Sequence, residues 1–505
     1  MYDSAQFFDL LDLFENWLFP NWKQFFLHPK ILCFFGWEPG KICIIMNCLQ
    51  QADHVRYKNE YRVYFSMSMF FYNVFQVISL ILLSPLLLVK AIISPKYRGR
   101  ILLRLGFGLE ELTQKLPENG KRIWVHALSV GEVLSAQPLV RELRLAYPDV
   151  GLIFSASTKT GEELSRDVMA KEVDLFVPFP FDLYGVALKF IHFIKADLFI
   201  LIETDFWPNF LHILDSQNTP AILVNGRISQ SSFARYQRFR FIFLPMFKIF
   251  RFISMQTTAD AEKMIHLGVD ADRVKALGNL KYDAVLPDTV GWEQEQRPTS
   301  FYRQQFGISA EKIVWIAGST HAGEEVTILS AYKRLSLLFP NLFLVVAPRN
   351  VERGREIKEI ADNLGLTVRQ RSAPLHDEEF PGAPLLILDT MGELSRMYSF
   401  CDIAFIGGSL VPDGGHNPLE PAAFGKPVLF GPYMDDFTEI SSDLLEKNAA
   451  IVCHDDDDIF EVLKQLLVNG PLRQEMGAQG QALVLQHRGV TRRHLEIINF
   501  LLDSK

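Results

Sequence analysis

Glu132, Glu203 and Lys281 each stand just past an apolar, strand-like run or a short polar turn, where parallel α/β proteins place groups that act on a ligand. Ser129-Val130-Gly131-Glu132 follows Trp124-Val125-His126 and can be read in two ways. Ser129 and Glu132 fit a capping box, and the same spacing holds a carboxylate at a strand's carboxyl end, ready to take a proton. Glu203 follows Leu198–Ile202 in the same manner and occupies the place of a second acid or base. Asn225-Gly226-Arg227 and Gly278-Asn279-Leu280-Lys281 repeat the form, and Lys281 offers a cation among otherwise neutral turn residues.

The second half carries anion-binding chemistry. Gly407-Gly408-Ser409 and Gly414-Gly415 flank a loop that leaves the apolar run Ile403–Ile406 and leads to Asn417-Pro418-Leu419-Glu420. Asn417 fits an N-cap, Pro418 the first helical position and Glu420 the third. A capped helix explains the second part alone; the added glycines, which let backbone N–H groups approach a ligand, favour a phosphate or nucleotide. Gly318-Ser319-Thr320-His321 ahead of Glu324-Glu325 is a further small, hydroxyl-bearing turn. Pro348-Arg349 follows Phe343–Val346, and an arginine there can fork onto a phosphate. Asp389-Thr390-Met391-Gly392-Glu393 completes the set.

Gly425-Lys426 is not a phosphate-binding Walker loop, because position 420 is Glu and Pro427 follows the lysine. Gly106-Phe107-Gly108 lacks the third glycine of a dinucleotide fingerprint. No histidine pair has metal-ligand spacing, and the five cysteines form no Cys-x-x-Cys pair. A net charge of −8 argues against a broad nucleic-acid-binding face.

The elements that must position these residues alternate between short apolar runs and longer amphipathic ones. Arg122–His126, Val150–Ser155, Leu198–Ile202 and Ala221–Val224 read as buried parallel strands, and Ile313–Ala317, Leu342–Ala347, Leu385–Leu388, Ile403–Ile406 and Val428–Phe430 repeat the pattern. The fold class is therefore α/β, with two doubly wound domains joined near residue 290. The expected divisions are an extension over 1–62, a membrane anchor with its basic flank over 63–100, and domains over 101–290 and 291–505. The anchor rests on the uncharged run Val63–Val89, followed by Lys90, Lys96, Arg98, Arg100 and Arg104, which places the remainder on the cytoplasmic side. Asn73, Gln76 and Pro85 leave a partly buried, monotopic helix as the alternative. Phe233–Phe252, with aromatics interleaved among Arg235, Arg238, Arg240, Lys248 and Arg251, reads either as a core-facing helix or as a patch for anionic lipid.

Taken together, the runs HALSVGE, ETDFWPN, NGRIS, GNLKYD, AGSTHAGEE, PR and GGSLVPDGGHNPLEP resemble the 3-deoxy-D-manno-octulosonate (Kdo) transferase family over about residues 70–500. The resemblance implies a GT-B fold of two Rossmann-like domains, the N-terminal one for the acceptor and the C-terminal one for the donor. It implies inverting, metal-independent transfer of Kdo from CMP-Kdo to a lipid A precursor, lipid IVA, at the bacterial inner membrane, with no cofactor. By the same resemblance Glu132 is the general base, and Glu203 and Lys281 stabilise the transition state. Pro348, Arg349, Met391, Gly392, Glu393, Asn417, Pro418, Leu419 and Glu420 would hold CMP. Asn350 departs from the histidine usual after Pro-Arg in that family. The alternative on fold alone is a membrane-associated GT-B transferase that uses a UDP-sugar.

Overall fold

The computed structural model describes residues 69–82, 95–117, 120–285, 299–373 and 384–503. The extension 1–62 lies outside them, as do both ends of the expected anchor. The chain divides into two compact units: one runs up to Leu280 and regains Thr491 onward, and the other is Lys281–Val490.

The first unit holds a seven-stranded sheet. Its strands are β1 (Arg122–Ala127), β2 (Gly151–Ala156), β3 (Leu175–Pro178), β4 (Leu198–Ile202), β5 (Ala221–Gly226), β6 (Phe250–Met255) and β7 (Val274–Ala276). They lie in the order β3-β2-β1-β4-β5-β6-β7, and every pairing is parallel. Strands such as Leu198–Ile202 are apolar at every position because helices cover both faces of a parallel sheet. Trp124 is fully buried at its centre, edge-on to Phe199 and Phe210 with centroids 5.5 and 5.0 Å away. Its indole N–H donates to Ser155 Oγ at 2.8 Å, so a large core side chain is also satisfied in its polar part.

The second unit repeats the plan with β8 (Ile313–Thr320), β9 (Leu342–Pro348), β10 (Val368–Gln370), β11 (Leu385–Ile387), β12 (Ile403–Ile406), β13 (Val428–Phe430) and β14 (Ala450–Val452). Their order is β10-β11-β9-β8-β12-β13-β14, again parallel throughout. Both sheets reverse direction of growth beside their first strand, which puts a switch point at β1/β4 and at β8/β12. Ligands of such sheets bind beyond the strands' carboxyl ends at that place.

Three expectations change. The C-terminal segment, assigned by sequence to the second domain, belongs with the first unit. The helix Val490–Asp503 lays His494 Nε2 2.7 Å from Ser254 Oγ, donates from Arg493 to the Leu277 carbonyl at 3.0 Å, and receives Lys121 Nζ on the Leu502 carbonyl at 2.6 Å. Phe233–Phe252 is not one helix. It breaks into Gln230–Arg238, Arg240–Phe247 and the start of β6. Tyr236, Phe239, Phe243, Phe247 and Phe250 are buried and build the core, while Phe241 is exposed together with Arg238, Arg240, Lys248 and Arg251; Arg240 also binds the Leu267 carbonyl at 2.7 Å.

The third change concerns the expected anchor. No helix among the described residues is long and apolar enough to cross a membrane. Residues 69–82 are helical, and Asn73 and Gln76 are part of what fastens them to the first unit. Asn73 and Asn209 exchange side-chain amide hydrogen bonds of 2.9 and 3.0 Å, Asn209 also donates to Gln76 at 3.3 Å, and Tyr72 donates to Asp182 at 2.9 Å. Phe70, Phe71, Val77, Ile78, Ile81 and Leu82 remain exposed. In the basic flank, Arg100 binds Glu162 and the Ser157 carbonyl, and Arg104 binds the Phe179 carbonyl.

Candidate functional site

In the first unit the candidate groups line the carboxyl ends of β1, β4 and β5. Ser129 accepts from the Glu132 N–H at 3.4 Å, and the Glu132 carboxylate accepts from the Leu128 N–H at 2.7 Å. The cap on Val130–Ala146 is thus real, with the glutamate reaching one residue beyond the N-cap. The Leu128 carbonyl accepts from Thr158 N–H at 3.1 Å, pinning this loop to the one after β2. Glu132 is buried and stands in the first turn of this helix. The cap and the position beyond the end of β1 coincide in this one residue.

Glu203 leaves β4 with φ of 62°, a left-handed backbone that costs a β-carbon-bearing residue energy and is commonest at functional sites. Its carboxylate accepts from Asn225 Nδ2 at 3.2 Å. Asn225 has the same φ of 62° and accepts the Leu280 N–H on Oδ1 at 2.9 Å. The two motifs noted only for their form, Asn225-Gly226 and Gly278–Leu280, therefore converge on Glu203.

A group that motif reading passed over lies beneath them. His126, fully buried and stacked on Phe179 at 3.8 Å, contacts Asp205 Oδ2 at 2.9 Å through Nε2 and Ser155 Oγ at 2.9 Å through Nδ1. Ser157 donates to the same Asp205 oxygen at 2.7 Å. Both residues stood inside quoted motifs, but their partnership spans 79 positions and no local spacing reveals it.

In the second unit Lys281 opens the short helix Lys281–Ala284. Its ammonium donates to the Asp436 carbonyl at 3.2 Å and sits 4.3 Å from the centre of the Phe437 ring, a cation–π contact. Pro348 ends β9 in the core, and Arg349, whose N–H is bound by the Thr320 carbonyl at 2.9 Å, projects its exposed side chain from that strand's end. Asn350 caps the following 3-10 turn by accepting from Glu352 N–H at 3.1 Å. This gives the unusual residue a local role that needs no ligand.

The glycine-rich loop corrects the reading of its backbone. Its N–H groups do bind an anion, but the anion is internal: the buried Glu324 carboxylate accepts from Gly408, Ser409 and Leu410 at 2.7, 2.9 and 2.8 Å, and from His321 N–H at 2.8 Å. Gly407 is needed because a β-carbon there would lie 2.4 Å from the Ser319 carbonyl oxygen. The neighbouring Glu325 pairs with Arg353 and accepts from Thr320 Oγ1 at 3.0 Å. What the loop presents instead is imidazole. His321 and His416 meet at 2.8 Å through their Nε2 atoms, and His321 Nδ1 pairs with Asp413. Burial, the His321 imidazole and the Arg349 charge hold His416 down to about 4.

Asn417 accepts the Leu419 N–H at 3.1 Å, while the helix itself is Leu419–Ala423, one position later than the capping pattern implied and only five residues long. Glu420 is half-buried; burial raises its pKa, opposed by the hydrogen bond from Ser395 at 2.7 Å. Met391 is 72% exposed, and Gly392 turns the chain with φ of 80°. At Glu393 burial works to raise the pKa, but the Arg371 and Thr390 hydrogen bonds, with the charges of Arg371 and Arg396, carry it below the usual range. Its carboxylate is clamped by Arg371 at 3.0 to 3.3 Å.

Residues 100–284 match the family model described as 3-deoxy-D-manno-octulosonic-acid transferase (kdotransferase). The 3-deoxy-D-manno-octulosonic acid transferase of Haemophilus influenzae is 33% identical over 431 residues, which cover 84% of this chain and 97% of that protein. The protein of the same description from Rickettsia typhi is 30% identical over 68% of this chain and 71% of its own length. Among solved structures, UDP-GlcNAc 2-epimerase from Neisseria meningitidis shares the fold with a TM-score of 0.53 at 14% identity, covering 76% of this chain and all of that one. Identity of 33% sustained along nearly the whole Haemophilus protein shows that this chain belongs to the 3-deoxy-D-manno-octulosonic acid (Kdo) transferase family.

Proposed function

We propose that this protein transfers Kdo from CMP-Kdo to a lipid A precursor of the lipid IVA type, with inversion at the anomeric carbon and without a metal. The observation that carries the reading is the match over 97% of the Haemophilus transferase; beside it, the Glu132 carboxylate is held by the Leu128 N–H at the end of β1.

Inverting transfer needs a base on the acceptor hydroxyl and positive potential on the departing phosphate. Glu132 suits the first role, since its bond from the Leu128 N–H holds the carboxylate at the carboxyl end of β1. The proton leaves the acceptor oxygen for Glu132 as that oxygen bonds the anomeric carbon and the carbon–phosphate oxygen bond breaks. Lys281, fixed by a carbonyl and a ring, and Arg349, exposed at the end of β9, are cations that can compensate the CMP phosphate and stand in for a metal's charge. Glu203, held by Asn225, supports the positive charge that develops on the sugar ring. With Glu393 clamped by Arg371, the exposed Met391-Gly392 turn is the part of that segment open to the nucleotide. Pro348, Asn417, Pro418, Leu419 and Glu420 complete the proposed CMP contacts.

The inner-membrane reading is supported by the helix over residues 69–82, bonded to the first unit through Tyr72 and Asn73 while its large apolar side chains stay exposed. A helix with one polar, docked side and one apolar side suits an interfacial seat. Incubating the protein with a tetraacylated lipid A precursor and either CMP-Kdo or UDP-N-acetylglucosamine tests the donor. Nucleotide release with CMP-Kdo alone supports the reading, and release only from the UDP-sugar sinks it.

A further inference from the structure

We infer that Asn225 is the positioning residue for Glu203, and that it sets the orientation of that carboxylate during transfer. The inference rests on the reading of Glu203 as a group acting on the transition state. Asn225 is completely buried, and its amide is used at both ends. Nδ2 donates to Glu203 Oε1 at 3.2 Å, and Oδ1 accepts the Leu280 N–H at 2.9 Å. The orientation is forced: a flipped amide would set carbonyl oxygen against carboxylate and N–H against N–H.

The main chain of Asn225 is fixed as well. Its carbonyl accepts from Gln256 Nε2 at 3.0 Å, and Gln256 Oε1 accepts from Asn279 Nδ2 at 3.0 Å. With Glu203 these side chains form a polar ladder across the carboxyl ends of β4, β5, β6 and β7, in which Asn225, Gln256 and Asn279 are each at most 9% exposed. Asparagine meets every demand of the position. It tolerates the left-handed backbone better than most residues with a β-carbon, and it supplies one donor and one acceptor at fixed spacing. Aspartate would put a second negative charge against Glu203; alanine or glycine would leave the buried Leu280 N–H without its acceptor.

The test uses the full chain in the Kdo-transfer assay, with N225G, N225D, E203Q and the double variant E203Q/N225G. N225G keeps the left-handed backbone accessible and removes only the bridge. Loss of a hydrogen bond to a charged group predicts a fall in kcat of about 10- to 100-fold for N225G in the wild-type background. In the E203Q background the same change should cost less than about 2-fold, because a residue that acts through Glu203 has nothing left to position. An equal loss in both backgrounds overturns the inference. N225D should lose most at alkaline pH and regain activity relative to wild type as pH falls and the introduced carboxyl group protonates into a donor. A ratio independent of pH also overturns it, and this profile decides the matter if N225G does not fold. Full activity of E203Q would instead defeat the reading of Glu203 itself, which separates the two failures.

Discussion

The carboxylate of Glu324 lies 2.7 Å from the backbone N–H of Gly408, and it occupies the concave backbone that glycines at 407 and 408 create. A loop that looks in sequence like a cradle for a ligand phosphate is closed by the protein's own anion. Four N–H groups depend on that one side chain. E324A should therefore lower stability by on the order of 3 kcal/mol, because buried donors lose a charged acceptor. Denaturant unfolding followed by fluorescence checks this. An unchanged midpoint would mean that the loop does not need Glu324.

Glu132 combines capping with its proposed chemistry, and the two can be separated. E132Q retains the capping-box acceptor, so thermal stability should stay within a few degrees of wild type while turnover falls by about 100-fold or more. E132A should lose turnover equally and also cost about 1 kcal/mol from the lost cap. Melting curves and kcat for both variants decide it; E132Q with near-normal turnover would remove Glu132 as the base.

Arg349 is the cation assigned to the CMP phosphate. Removing a charge-assisted hydrogen bond predicts that R349A raises KM for CMP-Kdo by about 10-fold or more. N350A should instead lower stability by about 1 kcal/mol through its lost cap, with KM little changed. Steady-state kinetics at varied donor concentration distinguishes the neighbours, and a donor KM raised by N350A but not by R349A would reverse the assignment.

Asp182 predicts a pH effect. Burial raises its carboxyl from 3.8 to about 7, against the lowering effect of hydrogen bonds from Asn209, Phe210 and Tyr72. A folded pKa above the unfolded one means that the native state holds the extra proton between those values. Asp182 therefore costs stability progressively as pH rises from about 4 to about 7, and the cost is constant above that. D182N should flatten the fall in melting temperature across this window. An identical slope in both proteins would show that Asp182 does not carry it.

The parallel strands were legible because helices cover both faces, leaving uninterrupted apolar runs such as Leu198–Ile202 and Ile403–Ile406. The places of Glu132 and Glu203 beyond the ends of β1 and β4 were legible because each is the carboxylate next after such a run. Shorter edge strands, β10 and β14 among them, have three residues each and too little pattern to stand out. The aromatic density of Phe233–Phe252 hid a break into two helices and a strand, since elements of nine, eight and six residues are too short to show a clear period. The Asn225–Glu203, His126–Asp205 and Glu324–Gly408 contacts join positions 22, 79 and 84 residues apart. Only the folded sheet brings them together. The placement of Val490–Asp503 was illegible for the same reason: its amphipathic pattern states that one side is covered but not by what.

The most direct measurement is the mass of the lipid product formed from CMP-Kdo and tetraacylated lipid A precursor, with EDTA present, by wild type and by E132Q. A product heavier by one or more Kdo residues is expected with wild type, and none with E132Q. A wild-type protein that is folded and yet leaves the lipid mass unchanged would contradict it, and so would equal product from both proteins.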